Sequence, residues 1–286
     1  TWQQCGVLQL GADEREQKRQ QGLASQGYPD SFLQAMTAEQ ASALAGVPIE
    51  QPGVFFAGGG WVSPPRLCEA LLQHPLISVQ TYRHAIALQR AATQWQVLDA
   101  QGQLLAEAPR VILCCAHETA AFEQTAHLPL KAIRGQLTHL PANTQSAELR
   151  TVLCADGYIS PSRHGSHHLG ASFRFDRLDL QPSEEENAHN LQLLQALSPA
   201  LHQSLQHTAP SGARVGLRCT APDYLPLIGP VVDATAFADS YTALGNDASL
   251  QPDCPAPWHP GLYVNVAHGS RGLISGPLSG ELLAAW

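Results

Sequence analysis

The end of the chain, from Gly261 onward, has the order strand, glycine-rich loop, helix, and this order constrains the fold more than any other feature. An apolar run from Gly261 to Ala267 leads into the loop "HGSRG", and a helix-like run from Pro277 to Trp286 follows. Glycines between a strand and a helix allow main-chain N–H groups to face a ligand at the positive end of the helix dipole. A tight strand-to-helix turn without a ligand explains the same pattern, so both interpretations stay open at this point.

Length and composition indicate a folded globular protein. The 286 residues are 44% hydrophobic and 14% charged, which is typical of an enzyme with one large or two interwoven domains. No apolar run approaches the ~20 residues that a membrane-spanning helix needs, and no secretory signal is recognised, so we expect a cytoplasmic protein without a membrane partner. The net charge of −8 argues against a basic nucleic-acid-binding face over the whole chain, although it leaves room for a local patch.

Cysteines and histidines give no pattern of metal ligands. The seven cysteines include no C-x-x-C pair, which favours reduced thiols, and the vicinal pair Cys114–Cys115 lies in an apolar run that predicts a core position. His164, His167 and His168 fall on a predicted hairpin turn without a partnered carboxylate, so we interpret them as surface histidines. We predict no metal site.

Several helix starts are marked by capping residues. A polar helix is predicted from Asp13 to Leu23, and a further one from Ser183 to Leu197, where Ser183 and Glu186 have the spacing of a capping box. Two other helix boundaries carry start and stop signals: Thr37 with Gln40 as a capping box and Gly46 as a stop, and Ser63 as N-cap with Pro64 at the first helical position.

Strand signals fall into two groups. Residues 77–116 read as β-structure, from "LISVQ" through a hairpin at Gln101-Gly102 to the apolar run Val111–Ala116, which predicts a buried, central, parallel strand. The middle of the chain, including "KAIRGQLTHLP" and "ARVGLRCTAPDYLPLIGPVVD", alternates and turns like a long antiparallel sheet. A parallel part on both sides of an antiparallel insertion predicts two interleaved domains and an α/β (α+β) fold.

Two arginines are candidates for binding an anionic ligand. Arg218 precedes a rigid, turn-rich segment, and Arg271 lies in the glycine-rich loop; each could instead be solvated or structural. Together with Tyr158 of "DGYISP", they would form a carboxylate clamp. The sequence contains no G-x-S-x-G nucleophile elbow and no P-loop, which excludes the simplest serine hydrolases and P-loop nucleotide-binding proteins.

Six segments together resemble one enzyme family. They are "GGGWVSPPRLCEALL", "VILCCAHETAAF", "IRGQLTHLP", "DGYISPSRHGSHHLGASF", "GLRCTAPDYLPLIGP" and "GLYVNVAHGSRGLISGPLSGELLA", in this order. From about Cys5 to its end, the chain is similar to the D-amino-acid-oxidase-like FAD-dependent oxidoreductases. Within them it most resembles the oxidoreductase part of bifunctional tRNA wobble-uridine modification enzymes, chiefly through "CGVLQL" and "GGWVSPPRLCEALL".

The resemblance implies a partial FAD-binding domain interleaved with an antiparallel-sheet substrate domain. On this basis residues 1–63 and 118–225 would belong to the substrate domain, and residues 64–117 and 226–286 to the FAD domain. The resemblance also implies that the loop "HGSRG" passes under the flavin ring, with a helix starting at Pro277 directing its dipole toward the ring. The cofactor-binding residues it implies are Ala116, His117, Gly269, Ser270, Arg271, Gly272 and Leu273.

The implied reaction is an oxidative removal of the carboxymethyl group from 5-carboxymethylaminomethyl-2-thiouridine in tRNA. The substrate's amine is in effect an N-substituted glycine, so Arg218, Arg271 and Tyr158 would hold its carboxylate while FAD accepts the hydride. In the complete family protein, a separate domain methylates the resulting amine with S-adenosylmethionine, and nothing in this chain corresponds to that methyltransferase.

Two departures from the family pattern stand out. The β-turn-α unit with G-x-G-x-x-G and its acidic ribose-binding residue are not found, so the chain is expected to begin after them and its retention of FAD is in question. A strand that usually ends in a glycine near the flavin reads Cys115-Ala116-His117. Two rival hypotheses therefore remain: an oxidase of small free amino acids such as glycine or sarcosine, and a non-catalytic fragment that lacks the cofactor.

Overall fold

The computed structural model describes residues 2–286, which divide into two compact units. Unit 1 consists of Thr1–His74 and Arg134–Gly216, and unit 2 consists of Pro75–Ile133 and Leu217–Trp286. The segments of the two units alternate along the chain, so the units are interleaved. No helix among the described residues is long and apolar enough to cross a membrane.

Most strands of the described residues have six residues or fewer, and three have nine or more. In chain order they are β1 (Trp2–Gln3), β2 (Val7–Leu10), β3 (Gln34–Met36), β4 (Gly53–Phe56), β5 (Trp61–Val62), β6 (Ala87–Ala91), β7 (Gln94–Leu98), β8 (Leu104–Ala108), β9 (Val111–Leu113), β10 (Lys131–Pro141), β11 (Val152–Cys154), β12 (Tyr158–Ile159), β13 (Ser166–Gly170), β14 (Gly212–Thr220), β15 (Leu227–Val232) and β16 (Trp258–Val266).

These strands form a large sheet and three smaller ones. The large sheet has the order β14-β10-β13-β12-β11-β2-β4-β3, and the neighbouring strands from β10 to β11 pair antiparallel, which confirms the predicted antiparallel sheet for these strands. The prediction is wrong for β15, which lies in a smaller sheet because it pairs with β16. Strands β15-β16-β9 form a three-stranded sheet in which β16 and β9 are parallel. Strands β6-β7-β8 form an antiparallel meander, and β1 pairs with β5.

The helices follow the sequence signals at most of their ends. They are α1 (Glu14–Ala24), α2 (Ala38–Ala45), α3 (Pro64–Leu72), α4 (Glu184–Leu197), α5 (Pro199–Leu205), α6 (Ala234–Ser240) and α7 (Gly272–Ala284). The capping box of α2 is confirmed in full: Thr37 and Gln40 bond each other's backbone N–H groups, and Gly46 ends the helix with φ 77°. Asp13 caps α1, whereas Ser63 occupies the N-cap position of α3 without a side-chain hydrogen bond.

The predicted capping box of α4 is wrong because Glu186 is used elsewhere. Its carboxylate lies buried against the guanidinium of Arg134, which is fully buried on β10, and it also accepts a hydrogen bond from Ser172. Ser183 makes no side-chain cap; its N–H donates instead to the side-chain oxygen of Gln136, 2.8 Å away. A buried charge requires a partner more strongly than a helix end requires a cap, so the ion pair takes the carboxylate.

The apolar run at Val111–Ala116 forms a parallel strand, as predicted, but not a central one. Strand β9 comprises only Val111–Leu113 and lies at the edge of its sheet within the described residues, and Ile112 is half exposed. The prediction that Cys114 and Cys115 lie in the core is also wrong, since both are exposed. The segment "LISVQ" forms no strand, and its large side chains are exposed.

His167 corrects the prediction that the histidine cluster lies on the surface. Because side chains alternate along β13, His167 and Leu169 point into the core of unit 1, and His167 is fully buried. Its Nδ1–H donates to the carbonyl of Ser160 at 2.8 Å, and Nε2 accepts from the Ser146 hydroxyl at 3.0 Å. Burial lowers the pKa of His167, while the hydrogen bond to Ser160 partly opposes that shift.

His167 should make unit 1 less stable in acid. Its pKa is lower in the folded than in the unfolded state, so unfolded chains bind a proton first as the pH falls below about 6.5. We expect the free energy of unfolding to fall by at most about 1.4 kcal/mol per pH unit from this group, and the His167→Gln variant to have a shallower slope between about pH 7 and pH 5 in urea titrations. The exposed His164→Gln control should keep the wild-type slope; equal slopes for all three proteins would contradict the prediction.

Candidate functional site

The candidate site of unit 2 lies where two parallel strands end at the same edge of a sheet. Leu262, Tyr263 and Val264 of β16 are in register with Val111, Ile112 and Leu113 of β9. Both strands therefore present their carboxyl ends together. In open sheets with parallel strands, ligands bind beyond this edge, because the loops that follow the strands converge there.

The chain turns away from both strands through alanines in left-handed backbone conformations. Ala116, after β9, has φ 51°, and Ala267, after β16, has φ 64°. A left-handed conformation costs a residue with a Cβ about 1–2 kcal/mol relative to the right-handed one. Ala116 thus has a backbone conformation that is typical of glycine, and its side chain adds only one methyl group at this point.

Gly269 anchors the glycine-rich loop to a neighbouring strand. It has φ 57°, and its N–H donates to the carbonyl of Cys219 on β14 at 2.8 Å. A Cβ at this position would lie 3.3 Å from Cγ2 of Thr220, so both its conformation and its surroundings favour glycine. Gly272 differs, because it has no positive φ and a Cβ there would meet only Cβ of His268 at 3.7 Å.

A chain of side-chain hydrogen bonds fixes the loop. His268 lies 2.8 Å from Oδ1 of Asn265 through Nε2 and 2.8 Å from Oγ of Ser275 through Nδ1. Burial lowers the pKa of His268 and favours its neutral form, in which Nε2–H donates to Asn265 and Nδ1 accepts from Ser275. The loop is therefore held to β16 on one side and to α7 on the other.

The final helix begins five residues before the sequence predicts. Helix α7 starts at Gly272, with Arg271 at its N-cap position, and Pro277 lies inside it. The prediction that Pro277 starts the helix is wrong: it is the sixth helical residue, and because proline has no N–H it cannot donate to the carbonyl of Leu273. The loop "HGSRG" is thus itself the N-terminus of the helix, and the positive end of the dipole lies at the loop.

Arg271 is an unusual residue for a helix N-cap. Its exposed side chain makes no capping hydrogen bond, and a positive charge at the positive end of a helix dipole is unfavourable. The N–H groups at the start of α7 and the guanidinium of Arg271 together form a site that favours an anion.

The predicted clamp residues are divided between the two units. Arg218 lies half-buried on β14 in unit 2, next to Cys219, whose carbonyl anchors the loop. Arg271 is in the same unit, whereas Tyr158 lies on β12 of unit 1, opposite Gly170 and Cys154. Unit 2 therefore combines both arginines with the loop.

The residues of this edge fit a flat cofactor with an anionic part. Nδ1 of His117 is buried without a hydrogen-bond partner in the described part of the chain, so it is available to a ligand beside Ala116. Ala116 adds only a methyl group beside the backbone, and Leu273 is half exposed at the start of α7, whereas the side chain of Ala267 is buried in the core of unit 2. Asn265, Ser275 and Thr220, which support the loop, were missed by sequence reasoning, although the spacing of Asn265, His268 and Ser275 around a turn is a usable signal.

Comparisons with known proteins place the chain in a family. The FAD dependent oxidoreductase family matches residues 1–286. The "tRNA 5-methylaminomethyl-2-thiouridine biosynthesis bifunctional protein MnmC" of Stutzerimonas stutzeri (strain A1501) is 51% identical over 100% of this chain, and that of Chromobacterium violaceum is 50% identical over 99%. The chain spans 44% of the length of each of these relatives.

Solved structures share the fold at low sequence identity. Glycine oxidase from Geobacillus kaustophilus is 19% identical with a TM-score of 0.75, and the match covers 99% of this chain and 70% of that one. Iminodiacetate oxidase from Chelativorans sp. BNC1 is 19% identical with a TM-score of 0.76, covering 99% and 72%. The parallel-strand edge, the anchored glycine loop and the match over the whole chain agree: this chain belongs to the FAD dependent oxidoreductase family.

Proposed function

We propose that this chain is the flavin-dependent oxidoreductase part of a tRNA wobble-uridine modification enzyme. It would remove the carboxymethyl group from 5-carboxymethylaminomethyl-2-thiouridine and leave the 5-aminomethyl form. The observation that carries the proposal is the edge where β9 and β16 end side by side and are followed by Ala116 and Ala267, with the N-terminus of α7 after the second. Identity near 50% over the whole chain to proteins named for the biosynthesis of 5-methylaminomethyl-2-thiouridine in tRNA supports the choice of substrate.

In this proposal unit 2 holds the cofactor and unit 1 belongs to the substrate domain. Main-chain groups of the loop at the start of α7 would face the flavin, where the helix dipole favours negative charge. His117 would offer its unpaired Nδ1 to the cofactor. The proposed cofactor-binding residues are Ala116, His117, Gly269, Ser270, Arg271, Gly272 and Leu273.

Arg218 would bind the carboxylate of the substrate, with Arg271 and Tyr158 as further contacts. A guanidinium can hold a carboxylate through two parallel hydrogen bonds, which fixes the adjacent methylene group in one orientation. Bound FAD would supply the hydride acceptor. The methylene carbon loses a hydride and the substrate nitrogen loses a proton, and water then splits the resulting imine into the shortened amine and glyoxylate.

The partners of this reaction lie outside the chain. The substrate would be tRNA, and methylation of the new amine would need a separate methyltransferase that uses S-adenosylmethionine. The relatives are more than twice as long as the matched segment, which leaves room for such a domain in them.

A direct test is a visible absorption spectrum of the purified chain before and after adding excess FAD and desalting. We expect flavin bands to be retained, because the loop and the ends of β9 and β16 offer the cofactor a preformed surface. A matched Gly269→Val variant should retain less flavin, since a side chain at φ 57° and 3.3 Å from Thr220 displaces the loop. A colourless wild-type protein would contradict cofactor binding by this chain and support the non-catalytic interpretation.

The choice of substrate is tested separately from the cofactor. We expect the flavin-loaded protein to release glyoxylate from carboxymethylaminomethyl-modified tRNA much faster than from free sarcosine or glycine. Faster turnover of sarcosine, unaffected by tRNA, would favour an amino-acid oxidase. The likeness to glycine oxidase does not favour that alternative, because at 19% identity it concerns the fold alone.

A further inference from the structure

Unit 1 carries a group of aromatic side chains with one arginine on the face of its sheet opposite the helices. Leu140 of β10 and Leu169 of β13 pack into the core with Leu194 of α4 and Leu201 of α5. His139 and His168 alternate with these core residues, so they lie on the opposite face. They are cross-strand partners, and their ring centroids are 4.7 Å apart.

Arg163 extends this group at the turn that leads into β13. Its guanidinium lies 5.2 Å from the ring centroid of Trp61 on β5, a cation–π geometry. Arg163 is also near enough to His168 to lower the pKa of that histidine, after burial and His139. Other arginines of unit 1, such as Arg66 and Arg174, have carboxylate partners, but Arg163 has none among residues 2–286.

A cavity continues this surface beyond Trp61. Trp2 on β1 is 65% exposed, and it lines the cavity with Trp61, Leu67 and residues 58–60. The cavity has a volume of about 330 Å³, which is within the range of small-molecule pockets. A Cβ at Gly58 would meet no atom of the chain within 4 Å, so the cavity is open beside this glycine, whereas Gly59 and Gly60 pack closely against Val7 and Gln3.

We infer that this surface, formed by Trp2, Trp61, His139, Arg163 and His168, binds a single-stranded or looped segment of RNA. The guanidinium of Arg163 would bind a phosphate, and the indoles would stack on unpaired bases. An aromatic–cationic surface suits unstacked bases better than a duplex, whose bases are hidden. The chain carries a net charge of −8, so RNA affinity has to come from such a local group. The inference rests on the proposed tRNA substrate.

Fluorescence anisotropy with a labelled anticodon stem–loop RNA tests this surface. We expect Arg163→Gln to raise the Kd about five- to tenfold and to reduce the slope of log K against log salt by about one, as loss of one phosphate contact does. Trp2→Ala should raise the Kd about fivefold or more through lost stacking.

The matched control for Arg163→Gln is Arg15→Gln, which removes an arginine charge from an exposed position on α1. It should change the Kd less than twofold. Circular dichroism and thermal melting confirm that each variant is folded.

The outcomes separate this inference from the proposed function. Equal RNA affinities of Arg163→Gln and Arg15→Gln, with strong binding by the wild-type protein, would contradict the RNA-binding role of this surface. The proposal that tRNA is the substrate would not be affected. A wild-type protein that binds no stem–loop RNA would also contradict the RNA-binding role of this surface. The glyoxylate assay would then decide independently whether tRNA is the substrate. Preference for a fully paired RNA duplex over the stem–loop would also contradict the inference, because stacking on Trp2 and Trp61 requires unpaired bases.

Discussion

The Arg218→Ala variant is expected to lose at least about 100-fold in kcat/KM for carboxymethylaminomethyl-modified tRNA while still binding FAD. Each charge-assisted hydrogen bond from a guanidinium to a carboxylate contributes roughly 1.5–3 kcal/mol, and two of them would be lost together. Arg218 lies beside the Cys219 carbonyl that anchors Gly269, and its side chain is not needed for that backbone bond. Steady-state glyoxylate release, with the flavin spectrum measured in parallel, checks both parts of the prediction.

Two further variants separate charge from geometry in this test. Arg218→Lys keeps the positive charge but cannot form two parallel hydrogen bonds, so we expect it to recover only part of the activity. Arg214→Ala removes an exposed arginine from the same strand and should leave kcat/KM within about twofold of the wild-type value, since each exposed charge contributes little. Activity of Arg218→Ala equal to that of Arg214→Ala would remove Arg218 from the site.

The Glu186→Ala variant is expected to lower the free energy of unfolding by about 3 kcal/mol or more, because it removes the buried carboxylate beside the guanidinium of Arg134 and leaves only that of Asp179, half exposed and 3.9 Å away. Arg134 is 0% exposed, and its remaining partners include the main-chain carbonyls of Asp179 and Gln181. The neighbouring amides Gln136, Asn187 and Asn190 tie β10 to α4, so the loss should be felt across that contact. Urea unfolding followed by circular dichroism measures it.

The adjacent glutamate provides a matched control. Glu185 also pairs with an arginine, Arg174, at 2.8 Å, but its side chain is 69% exposed, so Glu185→Ala should cost less than about 1 kcal/mol. Replacing both members of the buried pair, Arg134→Met with Glu186→Leu, should recover much of the lost stability because no unpaired charge remains. Equal losses in the free energy of unfolding for Glu185→Ala and Glu186→Ala would show that burial of the Arg134–Glu186 pair does not affect stability.

Elements defined by neighbouring residues were predicted well from the sequence. The capping box of α2 and its end at Gly46 depend on hydrogen bonds and backbone angles within ten residues, so the local sequence determines them. Strands β10 and β16 were also predicted from their apolar residues, and these residues lie at buried positions in the structure. The glycine-rich loop was likewise correctly placed between a strand and a helix.

Features that depend on distant residues were not visible in the sequence. Glu186 has the spacing of a capping residue, yet Arg134, which lies far away along the chain, takes its carboxylate. His167 and His168 are adjacent, but the pairing of β13 with β10 buries the first and leaves the second on the opposite face. The apolar run at Val111 became an edge strand because only β16 pairs with it among the described residues.

For the candidate site, the sequence by itself determined the residue types: glycines for a close approach, arginines for an anion and small residues after a strand. Only the tertiary structure decided that Ala116 and Ala267 follow parallel strands that end at one edge and that α7 begins at Gly272, within the loop. The physical reason is that side-chain chemistry is fixed residue by residue, whereas strand register, burial and helix starts depend on which partner each backbone group finds in the folded chain.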